Sequence, residues 1–366
     1  MTERRIIDAD GHILEPRGLW IDRMEGRFKD AAPRIERHED GRELLFIEDR
    51  PASPLPISSL GSAGLGIVED WDDNQPGGFD PRERIKVLDA EGIDATVLYP
   101  TLGLFVGGVE DGELSAAIAR AYNDWLAEFC SHAPDRLFAA AMIPMQDIAL
   151  AEAEVRRIGD LDCFRSIFIR PNPYCGRSLH SRKCDPVWKA CADFDLAVAV
   201  HEGAVGNMET AGVDRFENLF FRHIIAHTVE MQIAVLCLIG GGAMERFPSL
   251  RFAFMEAGGG WIASWLDRMN DHYEGVFGAM VPWLSRKPSE YFERQCYISF
   301  DPGERTVNSV AELIGADRVI WGTDFPHTDG TYPGFMREMT ESIAGFSEAD
   351  RDRILGSNAA TLYALD

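Results

Sequence analysis

Residues 196–203 read LAVAVHEG. An unbroken apolar run passes at once into His201, Glu202 and Gly203. A strand with one wet face alternates apolar and polar residues, whereas a strand covered on both faces does not. This segment is of the second kind, and a polar residue waits at its end.

The same signature recurs outward in both directions. DATVLYP (94–100), DRLFAAAMIP, CFRSIFIRP, SLRFAFMEAGGG (249–260), QCYISFDP and DRVIWGTDFP are apolar runs of strand length, and RIIDADGHI is a first strand. Helical stretches separate them, among them PRERIKVLDAEGI, where Pro81 suits a first helical turn, and DGELSAAIARAYNDWLAEFCSHAP. ENLFFRHIIAHTVEMQIAVLCLIGGG reads as a long helical stretch, either continuous or broken, and SEADRDRILGSNAATLYAL as a closing helix. Eight βα units predict a (β/α)8 barrel, the TIM-barrel architecture, as a single domain over residues 1–366 with a C-terminal helix. An open doubly wound sheet competes, but no GxGxxG or GxxxxGK[ST] follows a strand. Residues from about 14 to 80, rich in Pro, Gly and Asp, read as an insertion after the first strand. Its aromatics Trp20, Phe28, Trp71 and Phe79 are expected to roof a pocket, cover the barrel or form a subunit contact.

Lys and Arg number 36 against 60 Asp and Glu, a net charge of −24. Such a surface repels phosphate backbones, so no nucleic-acid partner is expected. Seven scattered cysteines without a Cys-x-x-Cys pair fit a reducing compartment. MTERRIIDAD lacks a signal peptide's apolar core, and MQIAVLCLIGGGAM (231–244) is too short to span a bilayer. The expectation is a soluble, cytoplasmic protein with no membrane partner, acting on a small molecule.

In such barrels chemistry sits at the C-terminal ends of strands. Strand one ends in DADGH, where Asp10 and His12 are two apart and face one side of an extended chain. Strand four ends in Arg170, strand five in His201, strand six in Glu256, and strand eight in Asp324 and His327. Two carboxylates and two imidazoles suit one divalent ion, zinc first, with manganese or iron as alternatives. Such an ion acidifies its bound water, and Asp324 could both hold it and take a proton. His223 and His227 share a helix face, but Ile224 rules out HExxH. His227 is the active-site candidate of the two, with Glu230 one turn on to orient it. Arg170 is a candidate fork for a substrate carboxylate, its alternative being a structural ion pair. His327 is a second substrate-binding candidate. His38, His132, His180 and His272 read as surface residues, Tyr99 and Trp321 as core.

DADGHILEP, AVAVHEG, LIGGGAMERFPSLRFAFMEAGGGWIASWLDRM and VIWGTDFPHTD together resemble the amidohydrolase superfamily. The resemblance is to its amidohydrolase-related branch, which includes aminocarboxymuconate-semialdehyde and γ-resorcylate decarboxylases. It implies Asp10, His12, His201 and Asp324 as metal ligands, and a homodimer or higher homo-oligomer. Many members have His-x-His where this chain has Asp10-x-His12. Decarboxylating members carry a His before the strand-six glycines, where this chain has Glu256-Ala257-Gly258. The expectation is therefore a metal-dependent hydrolase with Asp324, His227 and Glu256 moving protons. The alternative is a non-oxidative decarboxylase of an aromatic or muconate-like acid. A barrel without catalysis, used for binding, would lack a complete ligand set.

Overall fold

The computed structural model describes residues 5–53, 55–203 and 206–365. Eight parallel strands form one sheet: β1 Ile7–His12, β2 Ala95–Tyr99, β3 Leu137–Met142, β4 Phe164–Ile169, β5 Ala197–His201, β6 Phe252–Met255, β7 Cys296–Phe300 and β8 Val319–Trp321. Each pairs with its neighbours in chain order, and helices cover the outside. The strands are buried along nearly their whole length, as their uninterrupted apolar sequences require.

Closure falls just beyond β8. The Asp324 amide donates to the Asp10 carbonyl at 2.9 Å, and the His12 amide to the Phe325 carbonyl at 2.8 Å. Gly322 permits this approach, because a Cβ there would overlap that of Asp10. Asp8, fully buried, fastens the seam. It accepts hydrogen bonds from the Thr96 hydroxyl on β2 and from the Thr323 amide and hydroxyl beyond β8.

The helices start where their sequences say. Asp80, Asp111 and Asp147 each accept backbone N–H groups at an N-terminus, with Pro81 in the first turn of its helix. Four features settle or depart from the sequence reading. The helix after β5 is unbroken over Leu219–Gly240. A helix over Pro288–Gln295 precedes β7, and no expectation covered it. The helix beyond β8 begins only at Phe335, and the last helix carries a wider turn over Arg353–Ser357.

The insertion is more ordered than its composition suggests. It holds a three-stranded antiparallel sheet (Arg34–Arg37, Glu43–Ile47, Arg50–Pro51) whose apolar side joins the main core. Trp20 donates to the Ile118 carbonyl and Trp71 to that of Glu15, so both rings are pinned against the barrel. These aromatics cover the barrel and do not line the active-site cleft, which is built from the strand ends and the helix after β5. Truncating a buried ring of this size costs about 3–5 kcal/mol.

Candidate metal centre

His12 and His201 end β1 and β5, on opposite sides of the barrel mouth. Each is oriented by a backbone carbonyl. His12 Nδ1–H donates to Pro100 O at 2.9 Å, and His201 Nδ1–H to Glu202 O at 2.6 Å. A ring nitrogen facing a carbonyl must carry its proton, so the Nε2 lone pairs are left pointing inward. They lie 3.1 Å apart.

Carboxylates close around this pair. Asp10 Oδ1 lies 3.3 Å from His201 Nε2 and 3.6 Å from His12 Nε2, so the two-residue spacing does bring Asp10 and His12 to one point. Asp324 Oδ1 is 3.4 Å from His12 Nε2, and Glu256 Oε2 is 3.3 Å from His201 Nε2. Asp10 Oδ1, Asp324 Oδ1 and Glu256 Oε2 are buried without a hydrogen-bond partner. Buried carboxylate oxygens are ordinarily paired. Three such oxygens facing two imidazole lone pairs fit one divalent cation. Asp10, His12 and His201 satisfy the spacing for such an ion, as do His12, Glu256, Asp324 and His327.

The electrostatics describe the same strain. Burial, then the neighbouring His327, pushes His12 down to about 3. Burial works to raise Asp10, but the imidazoles of His201 and His12 outweigh it and hold the acid below its ordinary range. Burial, then Asp329, drives Asp324 well above the usual carboxylate range; burial, then Asp324, does the same to Glu256. Both acids have a positive φ, 44° at Glu256 and 53° at Asp324. Non-glycine residues hold that conformation at a cost, and commonly where function needs it.

The cluster therefore joins Asp10, His12, His201 and Asp324 with Glu256, and His327 stands beside Asp324, Nδ1 to Oδ1 at 2.6 Å. His227 faces Glu256, Nε2 to Oε1 at 3.6 Å, its Nδ1–H held by the His223 carbonyl. Glu230 does not orient it: its carboxylate takes the Ala211 amide instead. Arg170 is not an open fork either. Its guanidinium is buried in a two-pronged pair with Glu202, at 2.9 and 3.0 Å, and also donates to the Leu104 carbonyl at 2.5 Å. β4 and β5 end side by side, so the two charges meet and the substrate-carboxylate role passes from Arg170. Tyr99 and Trp321 are core residues, and the four outlying histidines lie at the surface.

Sequence reasoning missed Thr101, whose hydroxyl lies 3.0 Å from His327 Nε2. It missed Glu15, which accepts the Leu102 and Gly103 amides and fixes the loop bearing Thr101. It also missed Asp301 and Asp329 in the cleft wall. Asp301 carried a usable signal, since it follows β7 directly, as Arg170 follows β4.

A cleft of about 280 Å³ leads to Glu256 and Asp324 between the helix after β5 and the loops beyond β7 and β8. Barrel and cluster define a metal-site enzyme architecture with its centre at the C-terminal mouth. The chain matches the amidohydrolase family profile over residues 7–365, and it belongs to that family. It is 26% identical over 294 residues to 2-amino-3-carboxymuconate-6-semialdehyde decarboxylase of Dictyostelium discoideum, covering 79% of this chain and 77% of that one. It is 27% identical over 333 residues to γ-resorcylate decarboxylase of Rhodococcus jostii, covering 88% and 98%. In structure it resembles the dihydroxybenzoic acid decarboxylase of a Polaromonas species, solved with manganese and 2-nitroresorcinol. That likeness has a TM-score of 0.72 at 20% identity, over 99% of this chain and 98% of that one.

Proposed function

We propose that this enzyme is a metal-dependent, non-oxidative decarboxylase of a small aromatic acid. The observation that carries the reading is the placement of Glu256 beside the cluster. It faces the cleft, lies 3.3 Å from His201 Nε2 and 3.6 Å from His227 Nε2, and so can take a proton from one side and deliver it on the other. Hydrolysis needs a base to strip a proton from water; decarboxylation needs an acid to give one to carbon. Glu256, with His227 behind it, is placed to do the second. The decarboxylase relatives, matched over most of their length, support it too. Hydrolysis, the first expectation from the sequence, rests only on the wider superfamily.

Asp10, His12, His201 and Asp324 would hold a divalent ion, which would supply Lewis-acid anchoring of an anionic substrate at the barrel mouth. A donor set of two carboxylates and two imidazoles accepts manganese as well as the zinc expected first. The manganese of the Polaromonas enzyme agrees with this. Glu256 supplies the proton to the ring carbon that bears the carboxylate. The bond from that carbon to the carboxylate then breaks, its electron pair restores the ring, and CO2 leaves. His227, against Glu256 and lining the cleft, returns a proton from solvent.

The test is manganese-loaded protein with 2,6-dihydroxybenzoate in D2O. Expected are CO2 release and one deuterium at the vacated ring position. Glu256→Gln should lower kcat by about 10²-fold with metal still bound. The sign of the pH effect follows from the role of Glu256 as proton donor: wild-type rate is full while Glu256 is protonated and falls as pH rises and it loses its proton, and this limb vanishes in the variant. Ester or lactam hydrolysis without CO2 from any aromatic acid would sink the reading.

A further inference from the structure

The cleft is bounded by Glu256, Asp301, Asp324 and Asp329, with His223 and His227 opposite and Thr228, Thr323 and Thr331 between. Among the described residues lining it there is no Lys or Arg. The two imidazoles add little positive charge near neutrality, because burial holds both below their ordinary value. Arg170, the guanidinium that ends β4, is already paired with Glu202. Two of the lining acids, Asp324 and Glu256, turn one oxygen each toward His12 and His201, so the cleft opens directly onto the metal centre. Asp329 belongs to the same field: its carboxylate lies 3.9 Å from His223 Nε2 and acts on both Asp324 and Glu256.

We propose that Asp301 and Asp329 are charge-specificity residues that restrict the enzyme to substrates with a single carboxylate, the one held at the metal centre. This deepens the decarboxylase reading and rests on it. Asp10 and Asp324 already offset a divalent ion, so the centre has no positive charge left over for a second substrate carboxylate. A second carboxylate, placed across the ring, would face Asp301 and Asp329, where like charges repel; Asp301, pushed up to about 7 by burial and then by Glu304, adds its full charge only above that pH. Hydroxyl or amino groups placed there are favoured, because they can donate to those acids. The substrate class is thus a monoanionic aromatic acid bearing donor substituents. γ-Resorcylate has this form; 2-amino-3-carboxymuconate semialdehyde, with two carboxylates, does not.

The experiment is calorimetric titration of manganese-loaded protein with two matched probes, 2,6-dihydroxybenzoate and 2,6-dihydroxyterephthalate, which adds one carboxylate across the ring. Wild type should bind the first at least about thirtyfold tighter, and the ratio should shrink in 1 M salt. Asp329→Asn, at a half-exposed site that folding tolerates, should narrow the ratio by about tenfold, and Asp301→Asn likewise. Equal or tighter binding of the dicarboxylate overturns the proposal, and would point to a cation brought by another subunit. So does a ratio that neither variant moves, and so does failure of both probes to bind. CO2 release is scored separately. Tight, charge-selective binding without CO2 would remove the decarboxylase reading and leave the charge selection standing.

Discussion

Adjacent residues at the end of β5 have opposite fates. Glu202 turns to Arg170 and is closed into a buried pair with every oxygen satisfied. His201 turns to the barrel axis and meets Asp10, His12 and Glu256, where three carboxylate oxygens have no partner. Both regions bury charge at the same level of the barrel. Burial of ionisable groups is therefore not what marks the site. A charge that finds its complement within the chain is architecture; a charge cluster left open is a place for something the chain does not contain.

The sharpest way to break this comparison is His201→Ala. If the open cluster is a metal centre, metal content of protein purified without chelator falls well below one equivalent and turnover drops by roughly 10³-fold. Fold stability without metal should fall, because the contacts of His201 with Asp10 and Glu256, which raise its pKa, are lost. Retained metal and turnover would mean that His201 is as architectural as its neighbour.

Glu202→Gln breaks the comparison from the other side. It leaves the Arg170 guanidinium buried without its anion, and chemical denaturation should show a loss of about 3–5 kcal/mol. An Arg170→Met, Glu202→Leu double variant should recover most of that, since the pair offsets its own desolvation poorly. Metal content should stay near wild type, because His201 is held by the Glu202 backbone carbonyl and not by its carboxylate. Loss of metal in Glu202→Gln with stability intact would reverse the two roles.

The same distinction explains what the sequence could convey. Strands were legible because covered strands lose their polar alternation, and LAVAVHEG shows this without any partner. Asp10, His12, His201 and Asp324 were legible because a polar residue directly after such a run lands at the barrel mouth. Arg170 looked identical by that rule. Only the side-by-side endings of β4 and β5 reveal that Glu202 fills its fork, and pairing between strands is not written in either one. The insertion looked thin because its two buried tryptophans are far apart in a polar stretch. Thr101 was invisible, since a lone hydroxyl after Pro100 has no periodicity and no charge to betray it.

Thr101 also gives the smallest test of the comparison, because it belongs to neither region outright. Its hydroxyl donates to the Ile13 carbonyl at 2.7 Å, so toward His327 Nε2, 3.0 Å away, it can only accept. His327 Nε2 must then carry a proton, which leaves Nδ1 as the nitrogen that faces Asp324. A satisfied hydroxyl thus sets the tautomer of a ring in the open cluster. Thr101→Val removes the acceptor, and one hydrogen bond of about 1.4 kcal/mol corresponds to a tenfold lower kcat. Metal content and KM should hold, Thr101→Ser should restore the rate, and the ¹⁵N shifts of His327 should report a mixed tautomer only in the valine variant. If valine and serine variants behave alike, Thr101 serves only to pack the loop. The boundary between the closed and open regions would then lie between Thr101 and His327, with the ring oriented by Asp324 alone.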